Sequence, residues 1–92
     1  MYKTFEIGTA VKITTVLSVS NPTSASITIK NPSNITEVDA AVMTADTPNV
    51  YSYIYQSSTS KDDGTYQVII DVVHGAYTAR KVDYFTLIDT VL

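Results

Sequence analysis

The stretch Asp62-Asp63-Gly64-Thr65-Tyr66-Gln67-Val68-Ile69-Ile70-Asp71-Val72-Val73 is the part of this chain that decides its fold. It begins with a turn signal, Asp-Asp-Gly, and continues into a long segment rich in β-branched residues. Side chains of a strand alternate between two faces, so Tyr66, Val68, Ile70 and Val72 should share one face. The pattern predicts a long strand with one buried side.

The composition favours an all-β protein. Thr, Val and Ile supply 34 of the 92 residues, against 3 Leu. β-Branched side chains suit the pleated surface of a sheet better than a helix. A chain of this length corresponds to one domain with one core, so we expect a single domain over residues 1–92. The sequence has no Cys and therefore no disulfide.

Charge and hydropathy exclude several classes of partner. The net charge is -3 with 16% charged residues, and there is no basic stripe for nucleic acid to bind. The first residues contain no apolar segment of the signal-peptide type, and no apolar run approaches membrane-spanning length. We therefore expect no nucleic-acid or membrane partner. The chain should stay in the cytosol unless it is a fragment or travels on a particle.

Turn signals recur about every ten residues and predict a β-sandwich. Asn and Pro mark turns at residues 20–24 and 31–34, and Gly75 suits a tight turn after the long strand. Residues 44–49 are predicted to form a loop. About seven consecutive strands result, and antiparallel pairing is expected because no crossover helix is available for parallel pairing.

Two details of the strands can also be predicted. Segment 35–43 has the weakest strand signal, and its best inward set is Val38, Ala40 and Val42. In the last strand the spacing between Val82 and Phe85 is odd, so the two can share a face only if a bulge intervenes.

One His and no Cys leave little from which to build a catalytic site. A Ser-His-Asp set is recognised by geometry and not by spacing, but no nucleophile-elbow motif precedes any Ser. His74 lies beside Gly75 and is predicted to be an exposed turn residue. We therefore predict no enzymatic activity, no catalytic residue and no cofactor.

Acidic residues near turns are the other candidates for a site. Asp46, Asp62 and Asp63 could supply oxygen ligands to calcium, which needs six or more. The Asp-Asp-Gly run lacks the spaced acids of a calcium loop, so we interpret Asp62 and Asp63 as residues that shape the turn before Tyr66. No metal site and no small-molecule ligand are expected.

Three alternating tyrosines, Tyr51, Tyr53 and Tyr55, have two interpretations. They could form a core strip, or a flat aromatic platform for a sugar or a protein. The core interpretation is favoured because the chain has no Trp and only 2 Phe. Val50 and Ile54 would then face outward and be available to a partner. The predicted interaction surface consists of Val50, Ile54, Asp46, His74 and Tyr77.

The order Asp62-x-Gly64-x-Tyr66-x-Val68 resembles the Asp-x-Gly-x-Tyr-x-Cys signature that leads into strand F of immunoglobulin-like sandwiches. Val68 takes the cysteine position. Segments 26–33 and 50–55 resemble further strands of immunoglobulin-like and macroglobulin-like modules. The resemblance implies an immunoglobulin-like antiparallel sandwich in which Asp62, Gly64, Tyr66 and Val68 are structural residues of the turn, corner and central strand.

Stand-alone chains of this type resemble small virion proteins of tailed phages and archaeal viruses. The resemblance implies a non-enzymatic structural protein of a virion, acting as capsid decoration or as a head–tail or tail-associated protein. It would be made in the host cytoplasm and bind other virion proteins or itself, as a homo-oligomer or on a lattice. The alternative is an immunoglobulin-like module of an extracellular or cell-surface adhesion protein that binds carbohydrate or protein.

Overall fold

The computed structural model describes residues 3–18, 20–57 and 63–88, which form eight strands and no helix. The strands are β1 (Lys3–Glu6), β2 (Ala10–Val16), β3 (Ser24–Lys30), β4 (Thr36–Val42), β5 (Thr44–Thr47), β6 (Val50–Gln56), β7 (Gly64–His74) and β8 (Tyr77–Ile88). One sheet has the order β1-β8-β7-β3-β4 and the other β2-β6-β5. The predicted all-β sandwich is confirmed. In the described part of the chain, nothing helical is long or apolar enough to span a bilayer.

The long strand predicted from the sequence is β7, which lies in the middle of the larger sheet between β3 and β8. Its hairpin with β8 runs without a register shift from Gly64↔Leu87 to His74↔Tyr77. The bulge considered for β8 is therefore absent. Val82 faces outward and is 45% exposed, whereas Phe85 faces inward and is 3% exposed.

Aromatic side chains from both sheets meet in the centre of the core. Tyr66 is fully buried and stacks on Phe85, with ring centroids 5.2 Å apart and an interplanar angle of 11°. Tyr55 of the smaller sheet lies 6.2 Å from Tyr66. The buried hydrophobic residues are Val11, Ala25, Ile27, Ile29, Met43, Tyr55, Tyr66, Val68, Ile70, Val72, Phe85 and Leu87.

The tyrosines of β6 face inward, as predicted. Tyr55 is buried, and Tyr51 and Tyr53 pack against the core while remaining partly exposed. Ile54 lies on the opposite face of the strand and is 62% exposed. β6 therefore does not form an aromatic platform on the surface.

Segment 35–47 differs from its prediction. Residues 44–47 were expected to be a loop but form β5, because Thr44 and its neighbours pair with β6. Within β4, a register shift and a φ of 49° at Ala40 interrupt the alternation. Val38 and Ala41 consequently pack against the core, while Val42 is 82% exposed instead of buried.

The pairing of the chain's two terminal strands is also unexpected. β1 runs parallel to β8, from Lys3↔Phe85 to Glu6↔Ile88. A parallel pair needs a long connection. Here β1 and β8 are the first and last strands, so the whole domain provides that connection and no crossover helix is needed.

Gly64 and Pro32 make a close contact where β7 begins. Gly64 has a φ of +127°, and a Cβ at this position would lie 2.9 Å from Pro32 Cγ. Of the four residues predicted to be structural, Tyr66 and Val68 are buried in the core. Gly64 has a positive φ, a backbone conformation that favours glycine over other residues. Asp62 lies outside the described residues.

Glu37 of β4 links the two sheets through polar contacts. The Tyr55 hydroxyl donates to Glu37 Oε1 at 3.5 Å, and Asn31 Nδ2 donates to Glu37 Oε2 at 3.2 Å. Burial of the ring raises the pKa of Tyr55 to about 12, and the neighbouring Glu37 charge adds to the effect. Tyr55 is therefore neutral in the folded protein at any ordinary pH.

Removing the central ring should be costly. We expect Tyr66→Ala to lower the free energy of unfolding by about 3–5 kcal/mol, because it removes a stacked, fully buried aromatic side chain. Tyr77→Ala is the matched control: its ring is 80% exposed, and the change should stay within about 0.5 kcal/mol. Urea titration of both variants measures the difference, and equal losses would contradict the proposed core.

Gly64→Ala should destabilise the fold by about 1–3 kcal/mol, because the new methyl group meets Pro32 on a backbone that L residues rarely adopt. Gly75→Ala is the control. Gly75 also has a positive φ, but no atom lies within 4 Å of its Cβ position, so about 1 kcal/mol should be lost. Thermal and urea unfolding would refute the Pro32 contact if Gly75→Ala proved the more damaging change.

Stability should fall as the pH rises from 10 towards 12. In this window the unfolded chain loses the Tyr55 proton, whose ordinary pKa is 10, while the folded protein retains it until about pH 12. Tyr55→Phe should flatten the decline. Urea midpoints measured through the window test this; an equally steep decline in Tyr55→Phe would rule it out.

Candidate interaction groove

The outer side of β8 is only partly covered by another strand. β1 pairs with residues 85–88 of β8. Among the described residues no strand pairs with residues 77–83 on that side, although β7 pairs with all of them on the other. We call residues 77–83 the open edge.

The main-chain groups of the open edge point towards solvent at alternate residues. The Ile88 carbonyl oxygen accepts a hydrogen bond from the Ile7 amide at 3.0 Å, so Ile88 directs its main-chain groups to the β1 side. Successive residues of a strand direct theirs to opposite sides. Thr78, Arg80 and Val82 therefore present theirs to the same, unpaired side.

The smaller sheet ends in an edge beside this one. β2 pairs only with β6 among the described strands. The Leu17 amide donates to the Asn49 carbonyl at 2.7 Å, on the β6 side. By the same alternation, Lys12, Thr14 and Val16 direct their main-chain groups away from β6.

A groove lies between β2 and β8, on the side of the sandwich where the two edges meet. It contains a cavity of about 390 Å³ and, further along the same strands, one of about 240 Å³. We call the two together the lateral groove. The larger cavity is lined by Thr15, Val16, Leu17, Ser18, Ile70, Val72, His74, Tyr77, Thr78, Ala79, Arg80 and Lys81. The smaller is lined by Lys3, Phe5, Val11, Lys12, Ile13, Thr14, Val68, Asp83, Tyr84 and Phe85.

The lateral groove combines an apolar floor with a partly charged rim. Ile70 and Val72 of β7 form the floor of the larger cavity, and Val16 and Tyr77 on the rim are 69% and 80% exposed. Lys81 belongs to the rim, on the face of β8 that points towards the smaller sheet. The arrangement suits an extended chain whose alternate side chains are apolar.

Arg80, the other cation that lines the larger cavity, is paired with a residue on the outer face of the larger sheet. Arg80 Nε donates to Asp71 Oδ1 at 2.8 Å, across the β7–β8 ladder. The hydrogen bond and charge of the Asp71 carboxylate raise the pKa of Arg80. Arg80 is therefore partly neutralised by its neighbour, whereas Lys81 lies one residue further on the opposite face of the strand.

The far end of the hairpin is attached to the neighbouring loop. The Gly75 amide donates to Thr23 Oγ1 at 3.2 Å, and the Asn21 amide donates to the Pro48 carbonyl at 2.8 Å. These bonds connect the β7–β8 turn to the loop before β3, and that loop to the one before β6. The hairpin that carries the open edge is thus attached to two neighbouring loops.

The five residues predicted as an interaction surface lie on two separate surfaces. Val50 is half-buried and Ile54 exposed on the outer face of the smaller sheet, and Asp46 is exposed on the neighbouring β5. His74 and Tyr77 are cross-strand partners at one end of the lateral groove. His74 is exposed beside the turn, as expected. Whether any of the five contacts a partner stays a prediction.

Sequence reasoning missed the open edge itself. The available signal was length: the last strand spans 12 residues, whereas the strand that covers its outer side spans 4. That β1 pairs with β8 at all became visible only in the structure.

The described residues hold no cluster of three or more His, Cys, Asp or Glu side chains that could bind a metal ion. Of the acidic residues considered for calcium, Asp46 lies on β5 and Asp63 directly before β7. Asp62 is not among the described residues. The structure thus places Asp46 in the smaller sheet and Asp63 next to a strand of the larger sheet.

Comparison with known proteins identifies the fold but not the family. No protein-family profile and no curated protein matches the sequence. Among solved structures, CopC from Methylosinus trichosporium OB3b is similar, with a TM-score of 0.69 over 99% of this chain and 87% of that one. The two share 18% sequence identity, so the likeness concerns the fold alone.

The virion interpretation is wrong. The similar solved structure just described is a protein of a cellular organism, and no comparison supports a likeness to proteins of phages or archaeal viruses. Capsid decoration, a head–tail or tail role and a location in a virion are overturned together. A small all-β sandwich is what the structure and this comparison establish.

Proposed function

We propose that this chain is a non-enzymatic, immunoglobulin-like interaction module of an extracellular or cell-surface protein. It binds an extended segment of a partner protein along the open edge of β8. The observation that carries the proposal is the open edge itself, residues 77–83, lying beside an apolar groove.

Strand addition uses the groups that the open edge presents. An added strand forms main-chain hydrogen bonds with the edge, and its alternate side chains enter pockets beside it. β1 shows the geometry that such a strand would continue: Phe5 points inward and meets Phe85 edge-on, with ring centroids 6.3 Å apart. A segment in line with β1 would place its inward side chains over the lateral groove.

The other long edge of this sheet is interrupted by a bulge, whereas the open edge is regular and carries charges. β4 carries a bulge at Ala40, and bulges disrupt the pairing of an edge strand. Residues 77–83 contain no Pro and no register shift. Charges on Arg80, Lys81 and Asp83 discourage indiscriminate pairing and would select a partner by charge.

A protein ligand is favoured over a carbohydrate. Flat aromatic platforms suit sugars, but the tyrosines of β6 pack inward. The similar solved structure comes from a cellular organism, so the likeness favours an extracellular or cell-surface location over a location in a virus particle. A non-enzymatic role fits the single His and the lack of Cys.

Peptides selected from an unbiased displayed library on the immobilised full chain should bind at the open edge. In an NMR titration, the amides of Thr78, Arg80 and Val82 should shift and exchange more slowly with solvent when a selected peptide is added. Val82→Pro should abolish binding, because it removes a main-chain donor on the unpaired side and leaves the β7 ladder intact.

Val42→Pro is the matched control, since it removes an outward donor from β4 at the opposite edge and should leave peptide binding unchanged. Peptides that bind both variants equally, or a library that yields no binder, would contradict the proposal. A glycan array run in parallel would favour the carbohydrate alternative if it alone gave binding.

A further inference from the structure

We infer that a second copy of this chain occupies the lateral groove, presenting the side formed by β4 and β5. The inference goes beyond the proposed function, because the bulged β4 would pack against the groove through its side chains and would not add to the open edge as an extended strand. Copies would associate side by side, with β4 and β5 of one copy against β2 and β8 of the next.

The charges of the two sides are complementary. β4 and β5 contain the exposed Asp39 and Asp46 and no Lys or Arg, while Glu37 of β4 is bonded to Tyr55 and Asn31. β1, β2 and β8 carry Lys3, Lys12 and Lys81 against Glu6 and Asp83, and the charge of Arg80 is balanced by Asp71. Such an arrangement steers one copy's acidic side to another's basic side.

The two sides lie at opposite ends of both sheets. β4 ends the larger sheet and β5 the smaller one, while β8 with β1 and β2 lie at the other ends. A copy can therefore offer its acidic side to one neighbour while its groove receives another. Because different surfaces meet, the contact is heterologous and repeats into an open row.

Apolar side chains accompany the charges on each side. Ile35 and Val42 are 60% and 82% exposed beside the acids of β4. On the groove side, Val16 and Tyr77 are 69% and 80% exposed. Burying these side chains against one another would add apolar contact to the attraction between opposite charges.

A twofold dimer of two open edges is disfavoured by the same charges. Antiparallel pairing of the open edge with itself would bring Lys81 of both copies together near the centre of the contact. Like charges placed opposite each other destabilise a pair of strands. The charges therefore favour a contact between the open edge and the acidic side of a second copy over a contact between two open edges.

Sedimentation of the full chain over a concentration series tests the inference. We expect average mass to rise with concentration at low ionic strength and association to weaken at high ionic strength, because salt screens exposed charges. Hydrogen exchange followed by NMR should show slower exchange at Thr78, Arg80 and Val82 as concentration increases. A wild-type chain that stays monomeric throughout would overturn the inference.

Charge reversal shows which surfaces meet. One variant combines Lys12→Glu with Lys81→Glu, and the other combines Asp39→Lys with Asp46→Lys. Each variant alone should fail to associate, because its two contacting sides carry charges of the same sign. An equimolar mixture should associate, because each contact between one variant and the other then joins charges of opposite sign. A mixture that stays monomeric while both variants are folded by circular dichroism overturns the heterologous contact.

The outcomes separate this inference from the proposed function. If selected peptides bind in a Val82→Pro-sensitive manner but the wild-type chain never associates, the second copy is wrong and the peptide-binding edge stands. If variants with reversed charge unfold, the wild-type concentration series and its salt dependence decide alone. Association that is unaffected by salt and by either variant also refutes the inference.

Discussion

The ladder between β7 and β8 is the constraint on which the rest of the structure depends. Eleven residue pairs run from Gly64↔Leu87 to His74↔Tyr77. At one end the ladder carries the core, where Tyr66 stacks on Phe85. At the other end it extends beyond the strand that covers β8. A single continuous hairpin thus supplies both the hydrophobic centre and the unpaired edge.

The unequal lengths of neighbouring strands create the candidate site. β1 covers only the end of β8, and β2 is the last strand of a sheet with three members. Between them the sandwich stays open along one side, over apolar residues such as Ile70 and Val72. On the opposite side of the larger sheet, a bulge at Ala40 makes the edge strand β4 irregular. A sandwich of this kind is a scaffold, and its function lies in the edges and surfaces that distinguish one sandwich from another.

Local patterns in the sequence determined the strands and the interior. The alternation of Tyr66, Val68 and Ile70 specified which face of β7 is buried, because side-chain direction in a strand depends only on position parity. The same rule correctly turned the tyrosines of β6 inward. Turn residues such as Gly75 marked where the hairpin reverses. These features depend on near neighbours, so the sequence contains enough to predict them.

Strand pairing, register and the open edge arise only when distant parts of the chain come together. The parallel pairing of β1 with β8 joins residues more than eighty positions apart, roughly the whole chain. β5 is a strand because β6 lies beside it, and Val42 is exposed because the backbone at Ala40 shifts the alternation. Ile54, His74 and Tyr77 were all candidates for contact with a partner, and only the folded sandwich shows that Ile54 lies on one surface and the His74–Tyr77 pair on another. Which main-chain groups remain unpaired depends on every strand's partner, and no local pattern records that.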